Sequence, residues 1–182
     1  MNTLAVIDIP ALYQTLSART DEHATALRFL ILTGARPGEV TGMRWGELDQ
    51  ANRQWLIPAD RTKPKTPATI PLSTQAMALI ASLKPQASAH YVFTPDRGSH
   101  SIDAATKVFL HKLHPGAHPA DIRTLFREWA ASQHSDHDDA LLTTATKTEA
   151  AYRRGDMLEK RAVIMQEWAD YAAPVQLVLA TA

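Results

Sequence analysis

Five apolar residues, Ile122, Leu125, Phe126, Trp129 and Ala130, recur at i, i+3, i+4, i+7 and i+8, a spacing that an α-helix gathers onto one face. Burying that face requires other elements around it, so the segment from Ala120 to Ala131 is predicted to be a core helix. A second helix is predicted from Glu22 to Leu32, dense in Leu27, Phe29, Leu30, Ile31 and Leu32 and stopped by Thr33-Gly34. A third, Pro37 to Met43, opens with proline near its first position and leaves Arg36 at the junction between the two. Shorter helical signals follow Pro10, with Leu12, Tyr13 and Leu16 on one face, and run from a Ser73 cap to Leu83, with Met77, Ile80 and Leu83 aligned. Another runs from Ser101 to Leu113. Near the end, Thr146 to Glu149 and Asp156 to Glu159 each have capping-box spacing. The first sets Tyr152 on a short helix that Gly155 can end. The second opens an amphipathic helix with Leu158, Ile164, Met165, Trp168 and Tyr171.

Between Trp45 and Ser73 the pattern changes. Gln54 to Pro58 and Ala68 to Leu72 are short runs bounded by polar residues or proline, consistent with edge strands. Arg61-Thr62-Lys63-Pro64-Lys65 between them reads as a basic hairpin connection. The expected fold class is mainly α with a small antiparallel β-sheet (α+β). A length of 182 residues suits one core and is short for two, so residues 1–182 are read as a single domain.

Composition removes several chemistries. There is no cysteine, hence no disulfide, thiolate metal site or cysteine nucleophile. The eight histidines lack HExxH or comparable spacing, so neither a metal nor another cofactor is expected. No apolar run approaches the roughly 20 residues that span a bilayer, and Met1 to Ala11 lacks a basic region followed by an apolar stretch. A soluble cytoplasmic protein without a membrane partner is expected. Nineteen basic and nineteen acidic residues leave no net charge, a weak footprint for holding phosphates. The distribution is uneven: between Asp60 and Asp96 there is no acid, only Arg61, Lys63, Lys65 and Lys84, which allows a local basic edge.

Thr33-Gly34-Ala35-Arg36-Pro37-Gly38-Glu39-Val40, continued by Met43-Arg44-Trp45, resembles the TGxRxGE box of phage-integrase tyrosine recombinases. Three further boxes follow in the family's order. Pro71-Leu72-Ser73 is similar to the family's "PLS" after a hairpin lysine, Asp121-Ile122-Arg123-Thr124 to its HDLRRT helix, and Ala151-Tyr152-Arg153-Arg154-Gly155-Asp156 with Glu159-Lys160-Arg161 to its tyrosine segment. The resemblance implies a catalytic domain of the DNA breaking-rejoining type, from a bacterium or phage, with double-stranded DNA as partner. It also implies self-association as a tetramer on DNA, for which apolar Val175, Leu177, Val178 and Leu179 offer a docking segment or simply complete the core. The arm-binding and core-binding domains that the family places upstream are expected to be absent from these residues.

By the same resemblance, Tyr152 is the nucleophile that forms a 3′-phosphotyrosine, and Arg36 and Arg123 hold the non-bridging phosphate oxygens. Lys63 protonates the leaving 5′ oxygen, with Lys65 and His118 as alternative acid or base groups. Arg61, Lys63, Lys65 and Arg44 are the expected DNA contacts. The chain departs from the pattern at both histidines: Ala120 stands at the first position and Leu142 at the second, while His134 and His137 lie in a connection that is shorter than usual. A positioned acid or base typically contributes about 10²- to 10⁴-fold, so these departures leave two readings open. One is a strand transferase, the other an inactive remnant that binds DNA or protein.

Overall fold

The apolar run after Thr25 is buried on nearly every side and forms the axis of the domain. It lies in α2 (Glu22–Thr33), where Ala26, Leu27, Phe29, Leu30, Ile31 and Leu32 are almost fully removed from solvent. The computed structural model describes residues 4–83, 90–93, 102–134 and 154–174, with backbone alone at 102, 103 and 154–156. Around α2 pack α1 (Ile9–Ser17), α3 (Pro37–Thr41), α4 (Thr74–Ser82), α5 (Ile102–Leu113), α6 (Pro119–Gln133) and α7 (Arg154–Ala172). A helix apolar all round needs partners on all sides, and this arrangement supplies them. No helix among the described residues is long and apolar enough to cross a membrane.

Local chemistry sets the ends of α2. The Asp21 carboxylate accepts from the Ala24 amide at 3.0 Å, satisfying a donor the helix leaves free. Gly34 closes the other end at φ 55°, in the left-handed region. Slight burial of Asp21 works against its ionisation, but the Ala24 hydrogen bond and the Arg19 guanidinium at 2.8 Å hold its carboxyl below the ordinary value. A carboxyl with a depressed folded pKa stabilises the fold above the unfolded value of about 4, and that contribution is lost as pH falls through the folded one. Asp21→Ala is expected to cost about 1 kcal/mol at neutral pH in a denaturant titration, with the difference shrinking in acid.

The sheet has three antiparallel strands in the order β1 (Leu48–Asp49), β2 (Gln54–Ile57), β3 (Ala68–Pro71). Trp55 pairs with Ile70 and Ile57 with Ala68. Trp55, Ile57 and Ile70 face the core, while Leu56 between them is exposed. The two strands expected from sequence are present, but β2 is central rather than an edge, because the two-residue β1 covers its other side. β1 is too short to show any periodicity.

Three other expectations are corrected. Gly155 does not end a helix and Asp156 does not begin one, since α7 is continuous from Arg154. Glycine in a first helical turn costs at most about 1 kcal/mol, and the burial of Ile164, Met165 and Trp168 further along outweighs it. On α4 the most buried residues are Ala76, Leu79 and Ile80, with Met77 and Leu83 at the margin of the core. α3 ends at Thr41 rather than Met43. The expected caps Ser101 and Thr146 and the apolar segment Val175 to Ala182 lie outside the described residues.

Candidate active site

Gly34, Ala35, Pro37 and Glu39 together bring Arg36 to the surface of the core. Gly34 turns the chain out of α2, Ala35 is fully buried, and Arg36 adopts the extended conformation of an N-cap before α3. Pro37 fits the first helical turn, where its missing N–H is no loss. The Glu39 carboxylate reaches back, accepting from the Arg36 amide at 2.9 Å and from Arg36 Nη1 at 3.2 Å. Glu39 is buried while the Arg36 side chain stays about a third exposed, at 37%. One terminal nitrogen of the guanidinium is therefore held by Glu39 while the side chain stays open to solvent.

Arg123 reaches the same place from α6. Its Nη1 donates to the Gly34 carbonyl at 2.9 Å, 89 residues away in sequence. This bond fixes the guanidinium beside the turn that presents Arg36. From α7 comes Arg161, only 8% exposed, with Nη1 donating to the Thr69 carbonyl of β3 at 3.1 Å. Arg36, Glu39, Arg123 and Arg161 line one small pocket whose walls include Ile57, Thr62, Pro64 and Ile70. Burial, and then the charge of Arg36, lower the pKa of Arg123, while Glu39 opposes the shift. Burial, and then the charge of Arg123, bring Arg161 down to about 10, again against Glu39. Three guanidiniums thus share one carboxylate, and the pocket suits an anion.

A more open depression adjoins it, lined by Arg36, Gly38, Glu39 and the hairpin residues Asp60, Arg61, Thr62, Lys63 and Lys65. The hairpin is braced by the buried Thr62 hydroxyl, which donates to the Thr66 carbonyl at 2.7 Å. Lys65 adopts φ 57° and its ammonium donates to the Asp60 carbonyl at 3.1 Å, whereas Lys63 stands exposed on the same loop. Arg61, one of the expected DNA contacts, borders this depression with most of its side chain turned inward. Its side chain is 10% exposed, paired with Glu47 and donating through Nη2 to the Glu39 backbone carbonyl at 2.6 Å. Trp55 Nε1 shares the Glu47 carboxylate at 2.9 Å, so this cluster ties the hairpin to α3. Arg44 is exposed but sits apart, over the Tyr91 ring at 5.9 Å.

The alternative acid His118 caps α6, its Nδ1 accepting from the Ala120 amide at 3.1 Å, and does not line the arginine pocket. Ala120 is exposed on the first turn of that helix. His134 pairs with Glu167 at 2.8 Å and links α6 to α7. Tyr152, Leu142 and His137 lie outside the described residues. Among the described residues no cluster of three or more His, Asp or Glu could hold a metal ion. Sequence reading gave Arg161 no role. The available signal was its position, because residues 161, 164, 165, 168, 169 and 172 form the buried stripe of α7 and only the first is charged.

A helical domain built on this small sheet has the architecture of a tyrosine recombinase catalytic domain. The chain belongs to the phage integrase family, whose family model matches residues 2–149. It is 31% identical over 180 residues to the prophage integrase IntA of Escherichia coli K12, covering 89% of this chain and 42% of that protein. It is 30% identical over 176 residues to the integrase of Enterobacteria phage P4, covering 80% and 39%. The chain thus spans less than half the length of these relatives. Among solved structures it is similar to the Tn1549 transposon integrase in complex with transposon right end DNA, with a TM-score of 0.50 at 15% identity, over 86% of this chain and 66% of that one. At that identity the likeness speaks for the fold.

Proposed function

We propose that this domain performs site-specific DNA recombination, cleaving and rejoining strands without a metal through a 3′-phosphotyrosine on Tyr152. The observation that carries the reading is the meeting of Arg36 and Arg123, from separate helices, in one pocket beside the lysine hairpin. A phosphodiester under attack carries charge on two non-bridging oxygens, and two planar guanidiniums match them in a way lysines cannot. Their field also favours the phenolate of the attacking tyrosine, whose unperturbed pKa is about 10.

The step balances simply. The Tyr152 hydroxyl gives its proton to water as its oxygen bonds to phosphorus, the bond from phosphorus to the 5′ oxygen breaks, and the Lys63 ammonium gives a proton to that oxygen. Attack by another strand's 5′ hydroxyl on the phosphotyrosine reverses the sequence and restores the enzyme. Lys63 fits the acid role better than Lys65, whose ammonium is held by the Asp60 carbonyl.

Ala120 favours a second reading, a module that binds DNA without cleaving it, since a methyl group on that turn of α6 can take no proton. Incubation with a nicked suicide substrate separates the two. Strand transfer predicts a denaturant-resistant protein–DNA adduct that is absent in Tyr152→Phe. DNA binding with no adduct on the correct site rejects the catalytic reading and leaves the module.

A further inference from the structure

The least expected charge in the domain is Arg161. It occupies the buried stripe of α7 with Ile164, Met165, Trp168 and Ala169, where a hydrophobe of similar volume would pack without desolvating a cation. The fold uses little of it. Among the described residues one hydrogen bond runs to the Thr69 carbonyl, while Nε is buried with no hydrogen-bond partner there. An unsatisfied buried donor on a charged group is costly, and such a group persists where something offsets the cost.

The pocket indicates what does. Arg161 lines it together with Arg36 and Arg123, and the acid among the lining residues, Glu39, is already engaged by the backbone and guanidinium of Arg36. The cluster therefore holds positive charge in excess, in a place partly shielded from water, where an anion is bound more strongly than at an open surface. We infer that Arg161 is a third cation of the phosphate site, set in its buried wall to strengthen the hold of Arg36 and Arg123 on a tetrahedral oxyanion. This rests on reading the pocket as a phosphate site. Arg161 acts there as a positioning and charge-supplying residue. Through Thr69 it also joins the helix that follows the tyrosine segment to the strand that follows the lysine hairpin.

The test is calorimetric titration of the full chain with inorganic phosphate, without DNA. The unaltered protein should bind phosphate saturably, Arg36→Gln and Arg161→Gln should each weaken binding by about tenfold or more, and Arg161→Lys should stay within about threefold, because it keeps the charge. A purely structural clamp predicts instead that folded Arg161→Gln binds phosphate as the unaltered protein does. That result overturns the inference, as does no saturable phosphate binding at all or an equal loss in the lysine and glutamine variants. Should Arg161→Gln not fold, Arg161→Met, which fills the apolar stripe without the charge, decides in its place: a loss of about tenfold supports the inference and unchanged binding overturns it. A protein that binds phosphate in this pattern yet forms no covalent DNA adduct rejects strand transfer while the role of Arg161 stands.

Discussion

Arg123→Ala is expected to lower the single-turnover rate of strand cleavage by about 10²- to 10³-fold, while affinity for the same DNA falls far less. The asymmetry follows from what the residue touches. Arg123 is half-buried and fixed through Nη1 to the Gly34 carbonyl, so its charge sits in place before the substrate arrives. A preorganised donor is worth most where charge develops in the transition state. In the proposed DNA binding it would be one phosphate contact, and its loss should reduce the salt slope by about one unit. Arg123→Lys should recover little of the rate, because an ammonium cannot hold the Gly34 carbonyl and fork to a phosphate together. A melting curve of the variant separates a loss of rate from a loss of fold, since the substitution also removes the donor to the Gly34 carbonyl.

Gly34→Ala should destabilise the domain by about 3 kcal/mol, from two separable sources. A left-handed conformation costs a residue with a Cβ about 1–2 kcal/mol, and overpacking a core costs about 1–3 kcal/mol. Both apply, since Gly34 has φ 55° and an added Cβ would come within 2.2 Å of Phe126 Cδ1. That ring cannot swing away freely, because Phe126 packs against Trp168 with ring centroids 5.4 Å apart. Any shift of the turn also moves the carbonyl that positions Arg123. Urea denaturation should show the loss in stability, and cleavage should fall by more than the unfolded fraction explains. A variant as stable as the original would contradict the packing around Phe126.

The long helices were legible because their apolar residues mark one face, as Ile122, Leu125, Phe126 and Trp129 do on α6, or all faces, as Leu27 to Leu32 do on α2. The β2–β3 hairpin was legible from two short runs bounded by polar residues or proline. β1 was not, as two residues carry no period and the strand exists through pairing with β2. Gly155 misled because glycine permits a helix end without requiring one. At the site, the box from Thr33 to Glu39 fixes its own geometry through a left-handed turn and a helix start, which is why Arg36 could be placed from sequence. Arg61 could not, because its inward turn depends on Glu47, which meets it only once the hairpin folds against α3. Arg161 was hidden by its neighbours. Glu159-Lys160-Arg161 resembles the end of the family's tyrosine segment, which gives Arg161 no task, and the register that turns it inward shows only against Ile164, Met165 and Trp168.

The proposed role of Arg36 and Arg123 is to act on the charge of the scissile phosphate, and a substrate without that charge tests it most directly. In a strand whose scissile phosphate bears a methyl group in place of a charged non-bridging oxygen, the arginines have little to neutralise. Single-turnover cleavage of charged and neutral substrates by the unaltered protein, Arg36→Ala and Arg123→Ala should show a penalty of about 10²- to 10³-fold on the charged strand that collapses to a few-fold on the neutral one. An equal penalty on both substrates, or no cleavage of the charged strand by the unaltered protein, would contradict it.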